Sequence, residues 1–270
     1  MSRNQIFATL RRGRRFWAVA SVHGEAGRLI TLHRELEGRF APGDRLVYLG
    51  NLIGRGGDVR ATVDECLTFR RSLLARPGMF ACDLVYLRGS QEEMWQKLLQ
   101  LQMAPNPAEV LAWMLDQGVG ATLEAYGGDA KHGLGCAREG ALAITRWTSS
   151  LRAAMREAPG HEAFFSALRR AAFTEGGDGD GALLFVNAGI DPSRPLSAQT
   201  DSFWWGTGGF SKIAAPYAGF RMIVRGSDPL RSGVKTTEYT ASIDAGCGFG
   251  GPLAAACFDG TGRIVDLIEA

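Results

Sequence analysis

The chain has 270 residues with 30 Lys and Arg against 28 Asp and Glu, a formal net charge of +2, which is too small a basic excess for a dedicated nucleic-acid binder. With 46% hydrophobic and 21% charged residues it has the composition of a folded globular protein with ample material for a core. No apolar run approaches the ~18 residues that a membrane span needs, and the N-terminus lacks an apolar segment followed by a small-residue cleavage site, so a cytoplasmic protein with no membrane partner is expected.

Residues 1–15, which include Arg11, Arg12, Arg14 and Arg15, read as a basic, solvated N-terminal arm, and 16–270 as one domain. The stretch 16–24 is an apolar run that gives way at Ser21 to His23 and Gly24. It has the character of a core strand delivering polar side chains at its carboxyl end, where ligands gather in open α/β sheets. The same arrangement recurs at 45–56 and at 84–92. Leu29, Ile30, Leu32, Leu36 and Phe40 predict a helix over 27–40, and Val59, Val63, Cys66, Leu67, Phe69, Leu73 and Leu74 predict another over 58–74. A third helix is expected from about 92 to 103.

From about 105 to 175 the pattern is helical, broken by glycine and proline and without a convincing strand, as in a helical insertion beside a sheet. The glycine–aspartate stretch 176–181 reads as a flexible hairpin or loop. Strands are then predicted at 182–187, 220–224, 241–244, 253–258 and 264–268, with a hairpin turn at 259–262. A strand-rich second half facing a β-α first half predicts an α/β fold of two sheets packed face to face, with helices outside.

Several weaker signals are set aside. Gly246, Gly248 and Gly251 have the spacing of a dinucleotide fingerprint, but Pro252 and a strand follow where a helix N-terminus must receive the pyrophosphate. His33, His132 and His161 have no neighbour at metal-ligand spacing and read as surface or capping residues. Cys66, Cys82, Cys136, Cys247 and Cys257 contain no C-x-x-C pair and read as small buried hydrophobes in a reducing compartment.

Five loops carry a longer pattern: Ser21, His23 and Gly24; Gly50, Asn51, Gly54, Arg55 and Gly56; Gly89, Ser90, Gln91 and Glu92; Asn187, Ala188 and Gly189; and Gly226, Ser227 and Asp228. In order and spacing these resemble the metallophosphoesterase (calcineurin-like) superfamily, in its phosphoprotein-phosphatase branch of bacterial Ser/Thr phosphatases and symmetrical diadenosine tetraphosphatases. The signature of that branch runs G-D-x-H-G, G-D-x-V-D-R-G, G-N-H-E, H-A-G and G-H-T. Flanks at 118–127, 161–168 and 243–253 extend the resemblance over about 16–258. Trp204 and Trp205 stand where the family has W-x-R, with Gly206 at the arginine; they are expected in the core or at a rim beside the site.

The resemblance implies a four-layer α-β-β-α sandwich of two mixed sheets with the helical insertion, and a binuclear Mn or Mg centre whose bridging water attacks a phosphate. Residue by residue, most of that centre is replaced. Ser21 and Asn51 stand at aspartate ligands, Ser90 at the asparagine ligand, and Asn187 and Ser227 at histidine ligands, leaving His23 as the one metal ligand retained. Gln91 stands at the general-acid histidine and Gly54 at the aspartate that orients it, while Arg55, which grips a phosphate oxygen in the family, remains.

Neutral hydroxyl and amide oxygens are poor ligands for such cations, so the expectation is a pseudophosphatase with no metal cofactor. Its partner would be a phosphorylated protein or a small phosphate ligand, held by Arg55, His23, Asn51, Ser90 and Asn187, with Arg88 and Arg225 as further candidates. The neutral side chains either face that ligand or bond one another; both arrangements agree with the sequence. The alternative is an atypical hydrolase of phosphoproteins or dinucleoside polyphosphates that has rebuilt a Mn or Mg site from His23, Asp228 and a further carboxylate.

Overall fold

The computed structural model describes residues 6–175 and 182–270; the stretch 176–181 read as a loop lies outside the described residues. The strands are β1 (Phe7–Leu10), β2 (Arg15–Val19), β3 (Arg45–Tyr48), β4 (Leu84–Tyr86), β5 (Ala171–Thr174), β6 (Ala182–Val186), β7 (Phe220–Arg225), β8 (Lys235–Thr236), β9 (Thr240–Ser242), β10 (Ala254–Asp259) and β11 (Ile264–Glu269). They form one mixed sheet in the order β11-β10-β2-β3-β4 and a second in the order β1-β5-β6-β7-β9-β8.

β2, β3 and β4 run parallel because helices α1 (Ala26–Arg39) and α2 (Val59–Leu74) carry the chain back between them. Leu29, Leu32 and Leu36 of α1 and Val63, Cys66 and Leu73 of α2 are fully buried, at the spacing of one helix face. The second sheet is apolar on both faces. Leu183 and Phe185 point into the main core, and Leu184 and Val186 into a second cluster with Phe203, Trp204 and Phe210. The Phe185 and Phe258 rings, 6.4 Å apart, join the two sheets across the core. The architecture is the expected α/β sandwich of two mixed sheets.

The two halves of the chain interleave where a division was expected. The hairpin β10–β11, turned by Asp259 accepting from the Thr261 and Arg263 amides, adds antiparallel to β2 and so completes the first sheet. Conversely, Phe7–Leu10 is not a solvated arm but a strand parallel to β5 at the edge of the second sheet. The neighbouring arginines have partners: Arg11 pairs with Asp83 and Arg15 with Asp44, two carboxylates with fully buried side chains that need a counter-charge.

The third predicted helix stops earlier, as α3 (Ser90–Leu98), before a short 3-10 turn at Leu101–Met103. The insertion is helical through α4 (Pro107–Met114), α5 (Gly120–Ala125), α6 (Ala130–Glu139), α7 (Ala141–Glu157) and α8 (His161–Ala167), but its last residues form β5. Among the described residues no helix is long and apolar enough to cross a membrane.

His33 and His161 are buried, contrary to expectation, and both dock elements onto α2. His33 bonds Glu65 at 2.5 Å and the Tyr48 hydroxyl at 2.7 Å; His161 bonds Asp64 at 3.1 Å and the Tyr126 hydroxyl at 2.6 Å. Adjacent carboxylates on one helix thus tie it to the sheet and to the insertion. Four cysteines are buried as expected, but Cys82 is exposed.

Candidate functional site

Loops leaving the carboxyl ends of β2, β3 and β4 meet those leaving β6, β7 and β9. Backbone bonds stitch them together: Ser21 N to Gly226 O (3.0 Å), His23 N to Asn51 O (2.7 Å) and Ser227 N to Asn187 O (2.9 Å). His23, Asn51 and Arg55 all adopt positive φ, a conformation that non-glycine side chains hold only where the surroundings impose it. Glu92 is the fixed point of the junction. Its carboxylate accepts from the amides of Asn51, Leu52, Ile53 and Gly89 at 2.7–3.1 Å, and these bonds oppose the burial that pushes its pKa up.

Above this junction is a cleft of about 260 Å³ lined by His23, Asn51, Arg55, Ser90, Gln91, Ser227 and Asp228 among the residues expected there, with Gln117, Trp205, Arg231, Asp244 and Phe249 added. Ser21 and Asn187 lie beneath it, fully buried. The neutral side chains bond one another or nearby carbonyls. Ser21 Oγ donates to Gly226 O (2.9 Å), Asn51 Nδ2 to Ser21 Oγ (3.3 Å), Ser90 Oγ to Asn51 Oδ1 (3.1 Å) and Asn187 Nδ2 to Leu49 O (2.7 Å). Asn51 Oδ1 also receives the Gln91 amide, and Asn187 Oδ1 the Ser90 amide. Of the two arrangements open to the sequence, this floor takes the one in which the loops hold each other.

Arg55 and Gln91 are placed by the insertion. A π turn at Leu115–Val119 frees the Gln117 carbonyl, which accepts from Arg55 Nη2 (3.1 Å) and Gln91 Nε2 (2.9 Å). Gly118 is required there, with φ 99° and room for no Cβ, which would meet Arg55 Cγ at 2.7 Å. Gln91 Oε1 has no hydrogen-bond partner and packs against Gly54.

The loop between β9 and β10 covers His23. Phe249 meets its ring edge-on at 5.4 Å, and Gly248 lies so close that an added Cβ would stand 2.4 Å from His23 Cβ. Burial, with Arg55 and Arg231 adding to it, pushes the His23 pKa down to about 3, so the ring is neutral at ordinary pH, and its Nδ1 has no partner. Arg55 and Arg231 both stack on Phe249, their guanidinium carbons 4.4 Å and 3.5 Å from its centroid. Arg88 and Arg225, by contrast, pair with Glu93 and Asp228 and do not line the cleft.

These residues do not fit a binuclear metal centre. Divalent cations of this kind need anionic oxygens, and the groups around His23 are hydroxyls and carboxamides already engaged with one another. Among the described residues no cluster of three or more His, Cys, Asp or Glu side chains could hold a metal ion. Asp228 does not supply a substitute: it accepts from Arg225 (2.8 Å) and from the Leu230 amide, while Asp244 accepts from the amides of Asp228 and Gly246.

Arg231 and Phe249 were missed in the sequence, as was the role of Gln117. The available signals were the nearness of Arg231 to Asp228 and the place of Phe249 in the family-like stretch 243–253. Trp204 and Trp205 divide between the two expected settings, Trp204 buried in the second cluster and Trp205 exposed at the rim, 5.7 Å from Trp113.

No family model matches the chain, and no curated protein is similar to it in sequence. Solved structures are similar in fold. A candidate diadenosine tetraphosphatase superposes with a TM-score of 0.52 at 20% identity, over 98% of each chain. A Ser/Thr phosphatase from Saccharomyces cerevisiae with similarity to human PP5 gives 0.50 at 14% identity, over 98% of this chain and 82% of that one. A cold-active protein tyrosine phosphatase gives 0.50 at 14% identity, over 100% and 85%. With its two mixed sheets, and with these loops gathered at one end of them, the chain has the calcineurin-like metallophosphoesterase fold.

Proposed function

We propose that the protein is a pseudophosphatase that acts by binding, taking a phosphorylated protein or small phosphate ligand into the cleft at Arg55, and so sequestering a partner or regulating a related active enzyme. The observation that carries this reading is the closed floor: Ser21, Asn51, Ser90 and Asn187 bond to one another and to nearby backbone. A hydrolase on this scaffold needs an activated water and a proton donor for the leaving group, and the Gln91 amide, donating to Gln117 O, is not an acid. The guanidinium of Arg55, always charged and fork-shaped, is suited to a phosphate oxygen pair. We place the protein in the cytoplasm on its five cysteines, all free thiols.

Calorimetric titration of the metal-stripped protein with Mn²⁺ tests the reading. The expected result is no saturable binding, together with no hydrolysis of phenyl phosphate when Mn²⁺ is added. Binding of one or two ions at micromolar affinity, or metal-dependent turnover, would falsify it. Loss of phenyl phosphate binding in Arg55→Ala is expected; unchanged binding would remove Arg55 from the site.

A further inference from the structure

The mouth of the cleft holds two cations where the family resemblance pointed to one. Arg55 comes from the loop after β3 and Arg231 from the loop after β7, and the ring of Phe249 bears both. Since each guanidinium carbon is within 4.4 Å of the same centroid, the two are no more than about 8 Å apart. Among the described residues neither makes an ion pair with a carboxylate. Asp228 is paired with Arg225, and Asp244, which shares the cleft, is held by backbone amides while burial pushes its pKa up, against which those amides and, least, Arg231 act. A ring face attracts one cation readily, but two without counter-ions repel each other across it. Burial and this repulsion together hold Arg55 below its ordinary pKa.

We propose that Arg55 and Arg231 together form a two-guanidinium site for the dianion of a phosphate monoester, entering terminal-end first against His23. The proposal rests on the reading of the cleft as a phosphate site, and it names the class of ligand. Both arginines line the cleft, so an anion bound there lies in the field of two fork-shaped positive charges. A monoester has a third free oxygen. His23, 5% exposed and held neutral by burial, lines the same cleft and adds no positive charge of its own. A diester has one charge, two free oxygens and a second arm to accommodate, and the floor is closed by the bonded side chains of Asn51 and Ser90.

The test is calorimetry with phenyl phosphate and diphenyl phosphate on the wild type, Arg55→Ala, Arg231→Ala and Arg231→Lys. Arg231 is exposed, so its variants should fold, and far-ultraviolet circular dichroism checks that they do. The wild type should bind phenyl phosphate at least about tenfold more tightly than the diester. Arg231→Ala should lose at least about tenfold for the monoester and most of the preference, and Arg231→Lys, a point charge without the fork, should recover part. If Arg231→Ala binds as the wild type does while Arg55→Ala does not bind, the two-arginine site is wrong and the phosphate reading stands. Equal affinity for both esters overturns the monoester assignment, and no binding of either by the wild type overturns the phosphate reading itself.

Discussion

The floor of the cleft and its mouth are built from the same loops and behave in opposite ways. On the floor, four side chains at positions that the family resemblance gives as ligands, Ser21, Asn51, Ser90 and Asn187, are buried or half-buried, neutral and bonded to each other or to the backbone. At the mouth, a few residues away, Arg55, Arg231 and Trp205 are exposed, and the two arginines are charged without carboxylate partners among the described residues. A buried polar group left unpaired is costly, so the floor must satisfy itself, whereas the mouth can leave groups to water or a ligand. On the proposed reading, the floor serves structure and recognition falls to the mouth. If so, changes on the floor should be read as stability and changes at the mouth as binding.

The largest stability effect should come from Glu92→Ala. Removing the carboxylate orphans the buried amides of Asn51, Leu52, Ile53 and Gly89, and at about 1–3 kcal/mol for each unsatisfied donor the loss should reach about 4 kcal/mol or more in urea unfolding. A loss below about 1 kcal/mol would mean that the junction is not held by Glu92, and the comparison would lose its anchor.

Next is His23, which lies between the two regions. Its folded pKa, about 3, is below the ordinary 6.5, so between those values the unfolded chain binds a proton that the folded chain does not. Stability present above pH 6.5 is therefore lost as the pH falls, at up to about 1.4 kcal/mol per pH unit, or about 3 kcal/mol by pH 4. His23→Asn, a residue that tolerates positive φ, removes the titrating group, so its stability should fall less between pH 7 and pH 4 than that of the wild type. His33, also held below its usual pKa by burial, contributes equally to both proteins and cancels in the difference. Parallel pH curves for the two would show that His23 is not buried in neutral form.

Asn187→Ala should follow, at about 1–3 kcal/mol. It leaves the Leu49 carbonyl and the Ser90 amide without the Asn187 partner, while phenyl phosphate binding should change little because Asn187 does not line the cleft. A variant of full stability that fails to bind would reverse the assignment of floor and mouth.

Much of this organisation was legible in the sequence, for physical reasons. Apolar runs that break into polar, glycine-rich turns marked β2, β3 and β4 and the loops after them, and the order of those loops pointed to the sandwich. The edge strand β1 and its neighbour β5 were not legible. Each has four residues, too few for an alternating pattern to stand out, and each lies beside arginines or helices whose character dominates the window. Residue identity placed Ser21, Asn51, Ser90 and Asn187 at the site but left open which way their hydrogen bonds point, because a hydroxyl or carboxamide can serve neighbour or ligand equally. Arg231 and Phe249 were harder still, since a guanidinium lying on a ring has no period or spacing in the chain and exists only once separate loops have met.

The smallest effect should be that of Arg231→Ala on stability. Its stacking on Phe249 is exposed, and such contacts contribute about 0.5–1 kcal/mol, partly offset here by relief of the repulsion with Arg55. The expected shift in urea unfolding is therefore at most about 0.5 kcal/mol, in the same protein that should lose at least about tenfold in phenyl phosphate affinity. The pairing of those two results distinguishes the mouth from the floor, because Asn187→Ala should show the reverse. A destabilisation of about 2 kcal/mol or more in Arg231→Ala would mean that the arginine, Phe249 and His23 form one structural plug over the floor, and the mouth would then be as closed as what lies beneath it.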